Sequence, residues 1–460
     1  MTSIDSSDQR PIHFVGIAGA GMRALAELIA RRGVAVTGCD ANPGSTEDLA
    51  ALGISVVKGH SPDHVDGARE LIVTSAMPRN HPELARAREL GIPITRRAEA
   101  LGRAVAGGRV VGIAGTHGKT TTTVMTTAVL AGAGLRPTGI AGGRVAEWKG
   151  NLHYESDELF VVEADEYDRS FLTLTPNVAV VTNVEADHLD IYRDLEDIRS
   201  TFSRYVRDAA AIVLCDDDAG ARSLALPSSA ELIRYGIRSR DARLVASDVR
   251  SDGQSTIFSV GYDGDSLGDV ALRVPGYHNV QNALAAIGVG LALGVSLDAM
   301  RGGLLKFGGV DRRFQRLFDI AGVTIVDDYA HHPTEIAATL QAARASYPGR
   351  RVVAAFQPHL FSRTRDFADA FGEALCGADS VFLAEIYPAR EQPIPGITSD
   401  LVASAMQREG SPAVWQGVRA DLAEALTQFV RDGDVVITMG AGDITRTGPE
   451  LKTRLERRGK

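Results

Sequence analysis

Between Arg109 and Thr123 the chain reads R-V-V-G-I-A-G-T-H-G-K-T-T-T-T. Val110, Val111 and Ile113 form a short apolar run that enters a glycine-rich turn, and Lys119 and the threonines Thr120 to Thr123 follow directly. From Val124 through Leu130 the apolar residues recur at a helical spacing. Strand, glycine loop and helix, in that order, make a cradle for a nucleoside triphosphate. Glycines let backbone N–H groups converge on phosphate oxygens, and a side chain at Gly118 would crowd the anion. The helix N-terminus adds partial positive charge. Lys119 is a point charge for the outer phosphates, and the Thr120 hydroxyl can hold a magnesium ion. The strict spacing is not met. Ile113 stands where the usual pattern has glycine, and the glycines fall at Gly112 and Gly115. The competing reading, a glycine-rich turn capping an ordinary helix, gives no reason for a lysine at the helix entry.

Working outward, 460 residues at about 150 per domain suggest roughly three domains. The net charge of −9, with acidic and basic residues interspersed, argues against a nucleic-acid surface and suits an enzyme of small substrates. Cys39, Cys215 and Cys376 are scattered without metal-ligand spacing, which fits a reducing compartment and no disulfide framework. The N-terminus carries no signal-peptide pattern and no apolar run is long enough to span a bilayer, so a cytoplasmic protein without membrane insertion is expected. Oligomeric state is left open.

Before the phosphate loop, His13 to Val15 predict a strand, G-I-A-G-A-G-M from Gly16 to Met22 a second glycine-rich loop, and Met22 to Ala30 a helix. Val34 to Thr37 predict the next strand, with Asp40 after it. The glycines Gly16, Gly19 and Gly21 invert the dinucleotide fingerprint, yet such a loop can still hold a diphosphate, or be only a tight turn. Leu71 to Thr74 form a further strand ending at Ser75.

Beyond the phosphate loop, polar groups gather at predicted strand ends. Leu159 to Val162 end at Glu163-Ala164-Asp165-Glu166, where a carboxylate is well placed for magnesium. Val178 to Val181 lead to Asn183 and on to His188, which reads equally as a third metal contact or as a local hydrogen-bonding residue. Ala211 to Leu214 end in Asp216 to Asp218, a solvated strand end or helix cap. Leu232 to Val274 read as β-rich, with an antiparallel edge, and Asn279 and Asn282 open a helix on one face. In the last third, strands at Thr324 to Val326, Val352 to Phe356, Val381 to Ala384 and Val435 to Met439 run into Asp327 to Glu335, Gln357 to Thr364, Glu385 to Arg390 and Gly440 to Asp443.

Taken together, these stretches resemble the Mur ligase family. The residues that carry the resemblance are G-I-A-G-A-G-M at Gly16, G-T-H-G-K-T-T-T at Gly115, E-A-D-E-Y-D at Glu163, N-V-E-A-D-H-L-D at Asn183, and His278 with Asn279. R-R-F at Arg312, D-D-Y-A-H-H-P-T-E at Asp327, Q-P-H-L-F-S-R-T at Gln357 and E-I-Y-P-A-R-E at Glu385 complete it, so it spans Ile12 to Asp443. The resemblance implies an α/β protein of three domains. These are a Rossmann-like N-terminal domain over 1–107 that binds a UDP sugar, a central P-loop ATPase-like domain over 108–314 that binds ATP, and a C-terminal Rossmann-like domain over 315–460 that admits an amino acid and closes over both.

The implied reaction is ATP-driven amide formation through an acyl phosphate, with magnesium, in peptidoglycan precursor synthesis. The paired histidines and E-I-Y-P-A-R-E point to L-alanine and UDP-N-acetylmuramate as substrates. The alternative is the recycling enzyme that attaches a whole tripeptide to the same sugar. By resemblance, Gly115, Thr116, His117, Gly118, Lys119, Thr120, Thr121, Asn279, Asn282, Arg312 and Asp328 contact ATP. Thr120, Glu163 and His188 hold metal, and Lys119, His188, His331, His332 and Arg363 serve the reacting groups. Gly16, Ala18, Gly19, Gly21, Met22, Asp40 and Ser75 line the UDP-sugar site.

Overall fold

The computed structural model describes residues 8–74, 77–78, 80–251 and 255–458, and its strands form three sheets. The first third of the chain alternates strand and helix: β1 (Ile12–Val15), α1 (Ala20–Arg31), β2 (Val36–Asp40), α2 (Glu47–Ala50), β3 (Ser55–Lys58), β4 (Glu70–Val73), α3 (Pro82–Glu89), β5 (Ile94–Arg96) and α4 (Arg97–Val105). The strands pair in parallel in the order β3-β2-β1-β4-β5. All of β1 is buried, as a central parallel strand covered on both faces must be. α1 lays Met22, Leu25, Leu28 and Ile29 on the sheet. The second strand starts later than Val34 and ends at Asp40, because Gly33 at φ +78° carries the turn out of α1 and Ile12 pairs with Val36. Asp40 is therefore the last residue of the strand.

The middle of the chain supplies β6 (Arg109–Ala114), α5 (Lys119–Gly132), β7 (Pro137–Val145), β8 (Gly150–His153), β9 (Leu159–Glu163), β10 (Val178–Val181), α6 (Leu195–Val206), β11 (Ala211–Cys215) and α7 (Ala219–Arg222). It continues with β12 (Glu231–Gly236), β13 (Leu244–Ser251), β14 (Thr256–Tyr262), β15 (Asp265–Leu272), α8 (Tyr277–Ala292) and α9 (Leu297–Lys306). The sheet order is β15-β14-β13-β12-β11-β10-β6-β9-β7-β8. β6 is interior, between β10 and β9, and parallel to both. Parallel pairing continues through β12 into the start of β13, so the antiparallel edge expected from Leu232 onward begins no earlier than there. The acidic turn after β11 is built in rather than solvated: Asp216 is buried and Asp218 caps α7 by accepting from the Ala221 N–H. At its far end α5 meets α9 backbone to backbone. A Cβ on Gly132 would stand 2.7 Å from Gly303 N, and one on Gly303 would stand 2.2 Å from Ala128 O.

The last third forms β16 (Gln315–Ile320), β17 (Val323–Asp328), α10 (Pro333–Ser346), β18 (Val352–Phe356), α11 (Phe361–Leu375), β19 (Ser380–Ala384), α12 (Asp400–Arg408), β20 (Trp415–Gly417), α13 (Arg419–Phe429), β21 (Val435–Met439) and α14 (Thr447–Arg458). The order is β16-β17-β21-β18-β19-β20, with only the β16 pairing antiparallel. Pro333 occupies the first turn of α10, where its missing N–H costs nothing. Asp327 and Asp328 lie inside β17, opposite Thr438 and Met439, instead of following it.

The chain forms two compact units. One comprises Met1–Ser247, Ser259–Val270 and Gln281–Phe307; the other comprises Asp248–Phe258, Ala271–Val280 and Gly308–Lys460. In the first, Phe14, Leu25 and Ile29 share one buried core with Phe160, Phe171 and Phe202. In the second, Phe356, Phe371, Leu375 and Ile437 centre one face of the third sheet. Among the described residues no helix is long and apolar enough to cross a membrane.

Candidate functional site

In the first unit β6 delivers the chain to the phosphate loop, and α5 starts at Lys119. Gly115 (φ +144°) and Gly118 (φ +80°) have backbones that L side chains avoid. Space forbids a side chain as well: a Cβ would lie 1.9 Å from Thr182 Oγ1 at Gly115 and 2.8 Å from Asn282 Oδ1 at Gly118. The neighbouring strand end frames the loop. Thr116 N donates to Asn183 O at 3.1 Å, His117 N to Asn183 Oδ1 at 2.7 Å, and Glu185 N to Thr116 Oγ1 at 2.9 Å. Thr121 is buried in the first turn of α5.

Lys119 Nζ donates to Gly115 O at 2.7 Å, to Thr116 O at 3.1 Å, and to Glu166 with oxygens at 3.0 and 2.7 Å. Burial pulls the ammonium's pKa down, but the charges of Glu166 and Asp165 outweigh it and hold Lys119 above its ordinary value. Burial likewise pushes Glu166 up, and Lys119 and His188 together bring it below the usual range. Thr120 Oγ1 donates to Glu163 Oε1 at 3.0 Å, and Glu163 accepts from Gly142 N on its other oxygen. Burial raises the Glu163 carboxyl. His188, at φ +53°, places Nε2 3.6 Å from Glu166 Oε1 and 3.8 Å from Asp187 Oδ2. Burial lowers its pKa, and the nearby Glu166 and Asp187 carboxylates more than restore it.

The structure thus brings Lys119, Thr120, Glu163 and His188 together. Glu166, which the strand-end reading passed over, is the hub that joins Lys119 to His188. Its signal was present in the sequence, three residues beyond Glu163 in the same acidic run. The buried oxygens of Thr120 and Glu163 are hard donors that suit magnesium. Asn282 accepts from Thr122 Oγ1 at 3.1 Å, beside Gly118, so α8 buttresses the loop.

The N-terminal glycine loop lies in the same unit. Gly16 N donates to Cys39 O at 2.8 Å, and Gly19 precedes α1. Asp40 accepts from Ala18 N at 3.0 Å and from Asn42 N at 2.9 Å, so its carboxylate shapes the loop. Gly21 leaves room for the Arg97 side chain, and Met22 is buried in the first turn of α1. Ser75 lies outside the described residues.

In the second unit the expected residues gather at the carboxyl ends of the third sheet's strands. Arg312, at φ +60°, donates to Gly440 O at 2.6 Å and to Asp327 Oδ2 at 3.3 Å, with its guanidinium over the Tyr329 ring. Asp328 accepts from Phe314 N at 2.6 Å and Ala330 N at 2.7 Å, and burial pushes its carboxyl up to about 6 despite Arg313. His331 N donates to Glu335 Oε2 at 3.0 Å, and its ring centroid lies 6.0 Å from that of His359. His332 is buried before α10 with its ring against Phe367, and Arg363 is buried in α11. Asn279 Nδ2 donates to Pro275 O at 2.7 Å.

Three family models match in succession: Mur ligase family, catalytic domain, over residues 11–109; Mur ligase middle domain over 113–290; and Mur ligase, glutamate ligase domain, over 312–442. Curated relatives named UDP-N-acetylmuramate–L-alanine ligase are similar over their full length. That of Salinibacter ruber is 43% identical, covering 98% of this chain and 96% of its own. That of Acidothermus cellulolyticus is 44% identical, covering 97% and 95%. The solved structure of UDP-N-acetylmuramate-alanine ligase MurC from Thermotoga maritima superposes with a TM-score of 0.82 at 29% identity, covering 98% of this chain and all of the other.

Proposed function

We propose, from the premise that the chain belongs to the Mur ligase family, that it joins L-alanine to the carboxylate of UDP-N-acetylmuramate at the expense of ATP. The observation that carries this is the buried Lys119, Thr120, Glu163, Glu166 and His188 constellation at the mouth of α5, in a chain similar end to end to ligases of that name. An amide from a carboxylate and an amine is uphill in water, so the carboxylate is first activated. Its oxygen attacks the γ-phosphorus, ADP leaves, and an acyl phosphate remains. The alanine amine then attacks the acyl carbon and phosphate departs.

The residues divide this work. Lys119 neutralises the outer phosphates, and the backbone N–H groups of Gly118 to Thr121, at the start of α5, cradle them. Thr120 and Glu163 would hold one magnesium ion and His188 a second; magnesium bound there screens the two anions that must meet. Asn279, Asn282, Arg312 and Asp328 contact the nucleotide. His331, His332 and Arg363 orient the reacting groups and the alanine carboxylate. The loop from Gly16 to Met22, with Asp40 behind it, takes the UDP diphosphate. On this reading residues 1–107 serve the UDP sugar, 108–314 ATP and 315–460 the amino acid, and the enzyme works in the cytoplasm, where these substrates are made.

The test is ADP release by the purified protein with ATP, magnesium and UDP-N-acetylmuramate, with and without L-alanine. Release requiring both acceptors, with the alanyl product seen by mass, supports the assignment. Release with a tripeptide but not L-alanine would move it to the recycling ligase. Turnover indifferent to the sugar would remove the ligase reading.

A further inference from the structure

Four histidines that play no part in the phosphate loop or the third sheet meet in the first domain. His13 stands on β1, His60 and His64 follow β3, and His81 precedes α3. They surround Glu83, in the first turn of α3, and Cys39, at the end of β2; both side chains are wholly buried. Cys39 Sγ lies 3.2 Å from both Glu83 oxygens and 3.3 Å from His60 Nδ1, and His60 Nδ1 lies 3.6 Å from Glu83 Oε2. The other carboxylate oxygen lies 2.9 Å from His64 Nδ1 and accepts from Ser61 N at 3.1 Å. His81 Nδ1 is 3.9 Å from Glu83 Oε2. Two ring nitrogens here, His81 Nδ1 and His13 Nε2, are buried without a hydrogen-bond partner among the described residues.

A carboxylate removed from water needs a countercharge. Among the described residues the ion-pair partners of Glu83 are His60, His64 and His81. Thiolate, imidazole and carboxylate together form the donor set of zinc, and oxygen-seeking magnesium or calcium would not choose it. The spacing agrees. Metal–ligand lengths of about 2.0–2.3 Å in a tetrahedron put donor atoms about 3.3–3.6 Å apart. The Cys39, His60, Glu83 triangle has edges of 3.2, 3.3 and 3.6 Å.

We propose that Cys39 Sγ, His60 Nδ1 and Glu83 Oε2 bind a zinc ion, with His81 Nδ1 as the fourth ligand. Ser61 N–H and His64 fix the second oxygen of Glu83 and so orient the carboxylate. On binding, the thiol proton between Cys39 and Glu83 passes to solvent and the thiolate takes the metal. The ion ties together β2, the turn after β3 and the start of α3. Gly16 N donates to the carbonyl of Cys39, so the staple also steadies the seat of the N-terminal glycine loop. The site is separate from the phosphate loop and stands or falls independently of the ligase reading.

Cobalt(II) is the probe, because its bond to a thiolate gives a charge-transfer absorption that oxygen and nitrogen ligands do not give. Full-length protein is stripped with chelator and titrated with Co2+ in excess magnesium, which occupies the oxygen-lined site. The expected result is one equivalent of cobalt with the thiolate band, lost when Zn2+ is added. Among the described residues Cys39 is the cysteine that stands in a cluster of metal-ligating side chains, so the band reports Cys39. Cys39→Ser abolishes it, and His60→Gln weakens zinc binding roughly tenfold or more, with ATP binding unchanged. A wild-type protein that takes up cobalt without the band, or a band that survives in Cys39→Ser, overturns the proposal. The wild-type titration decides even if Cys39→Ser fails to fold.

Discussion

Replacing Lys119 by Met tests whether the lysine is structural as well as chemical. Its ammonium sits 2.7 Å from Glu166, and the two side chains are 14% and 4% exposed. The long methionine fills the stem's volume but leaves Glu166 buried and uncompensated. Breaking one side of such a pair costs about 3–5 kcal/mol. His188 Nε2 remains 3.6 Å away and carries part of the charge, so the loss should fall at the low end, about 3 kcal/mol. Adding Glu166→Gln removes the orphaned charge and should restore about 2 kcal/mol or more, since a neutral pair leaves no buried ion. Neither variant should form ADP, because neither has a cation for the outer phosphates. The assay is urea unfolding followed by Trp148, which lies in the first unit, in a Trp415→Phe background that silences the second. A loss below about 1 kcal/mol in Lys119→Met, or no recovery in the double variant, refutes the reasoning.

Three further outcomes are expected. Gly115→Ala forces a Cβ to within 1.9 Å of Thr182 Oγ1 at φ +144°; calorimetry should show ATP affinity reduced by roughly tenfold or more, with Thr182→Ala failing to restore it because the backbone strain persists. Asp328 has a folded pKa raised from 3.8 to about 6. Its folded form holds a proton that the unfolded chain gives up, so stability falls as pH rises from about 4 through 6, by up to about 3 kcal/mol. Asp328→Asn should flatten that decline in urea midpoints read from Trp415, and an unchanged slope would exclude Asp328 as its source. Asp218→Ala strips the cap of α7 and the bond from Val184 N, and should cost about 1–2 kcal/mol by Trp148 unfolding.

The strands at the site were legible because they are short apolar runs, buried on both faces, that end in polar clusters. Val178–Val181, Val352–Phe356 and Val435–Met439 fall where the pattern puts them. Boundaries moved where pairing register, which no local pattern encodes, set the length: Asp40, Asp327 and Asp328 were drawn into strands by partners far away in sequence. Lys119, Thr120, Glu163 and His188 could be nominated from sequence, since they follow or end three apolar strands: Lys119 and Thr120 beyond β6, Glu163 on β9 and His188 beyond β10. Glu166 could not be ranked above Asp165 without seeing which carboxylate turns toward Lys119. The His13, Cys39, His60, His81 and Glu83 cluster was invisible for a related reason. Its members come from β1, the end of β2, the turn after β3 and the start of α3, and only the fold brings these four segments to one point.

The glycine contact between α5 and α9 has a mechanical consequence. α5 is 14 residues long, a rod of about 21 Å, with the anion cradle at one end and the Gly132–Gly303 crossing at the other. Clamped there at backbone distance, the rod has no slack to slide along its axis or roll about it. The aim of its leading N–H groups is thus fixed by a fulcrum well away from any ligand. A methyl group at either glycine would act as a wedge under a lever, turning an ångström of displacement at the crossing into misalignment at the far tip. An apparently remote, purely packing substitution would then read out as a defect in nucleotide handling.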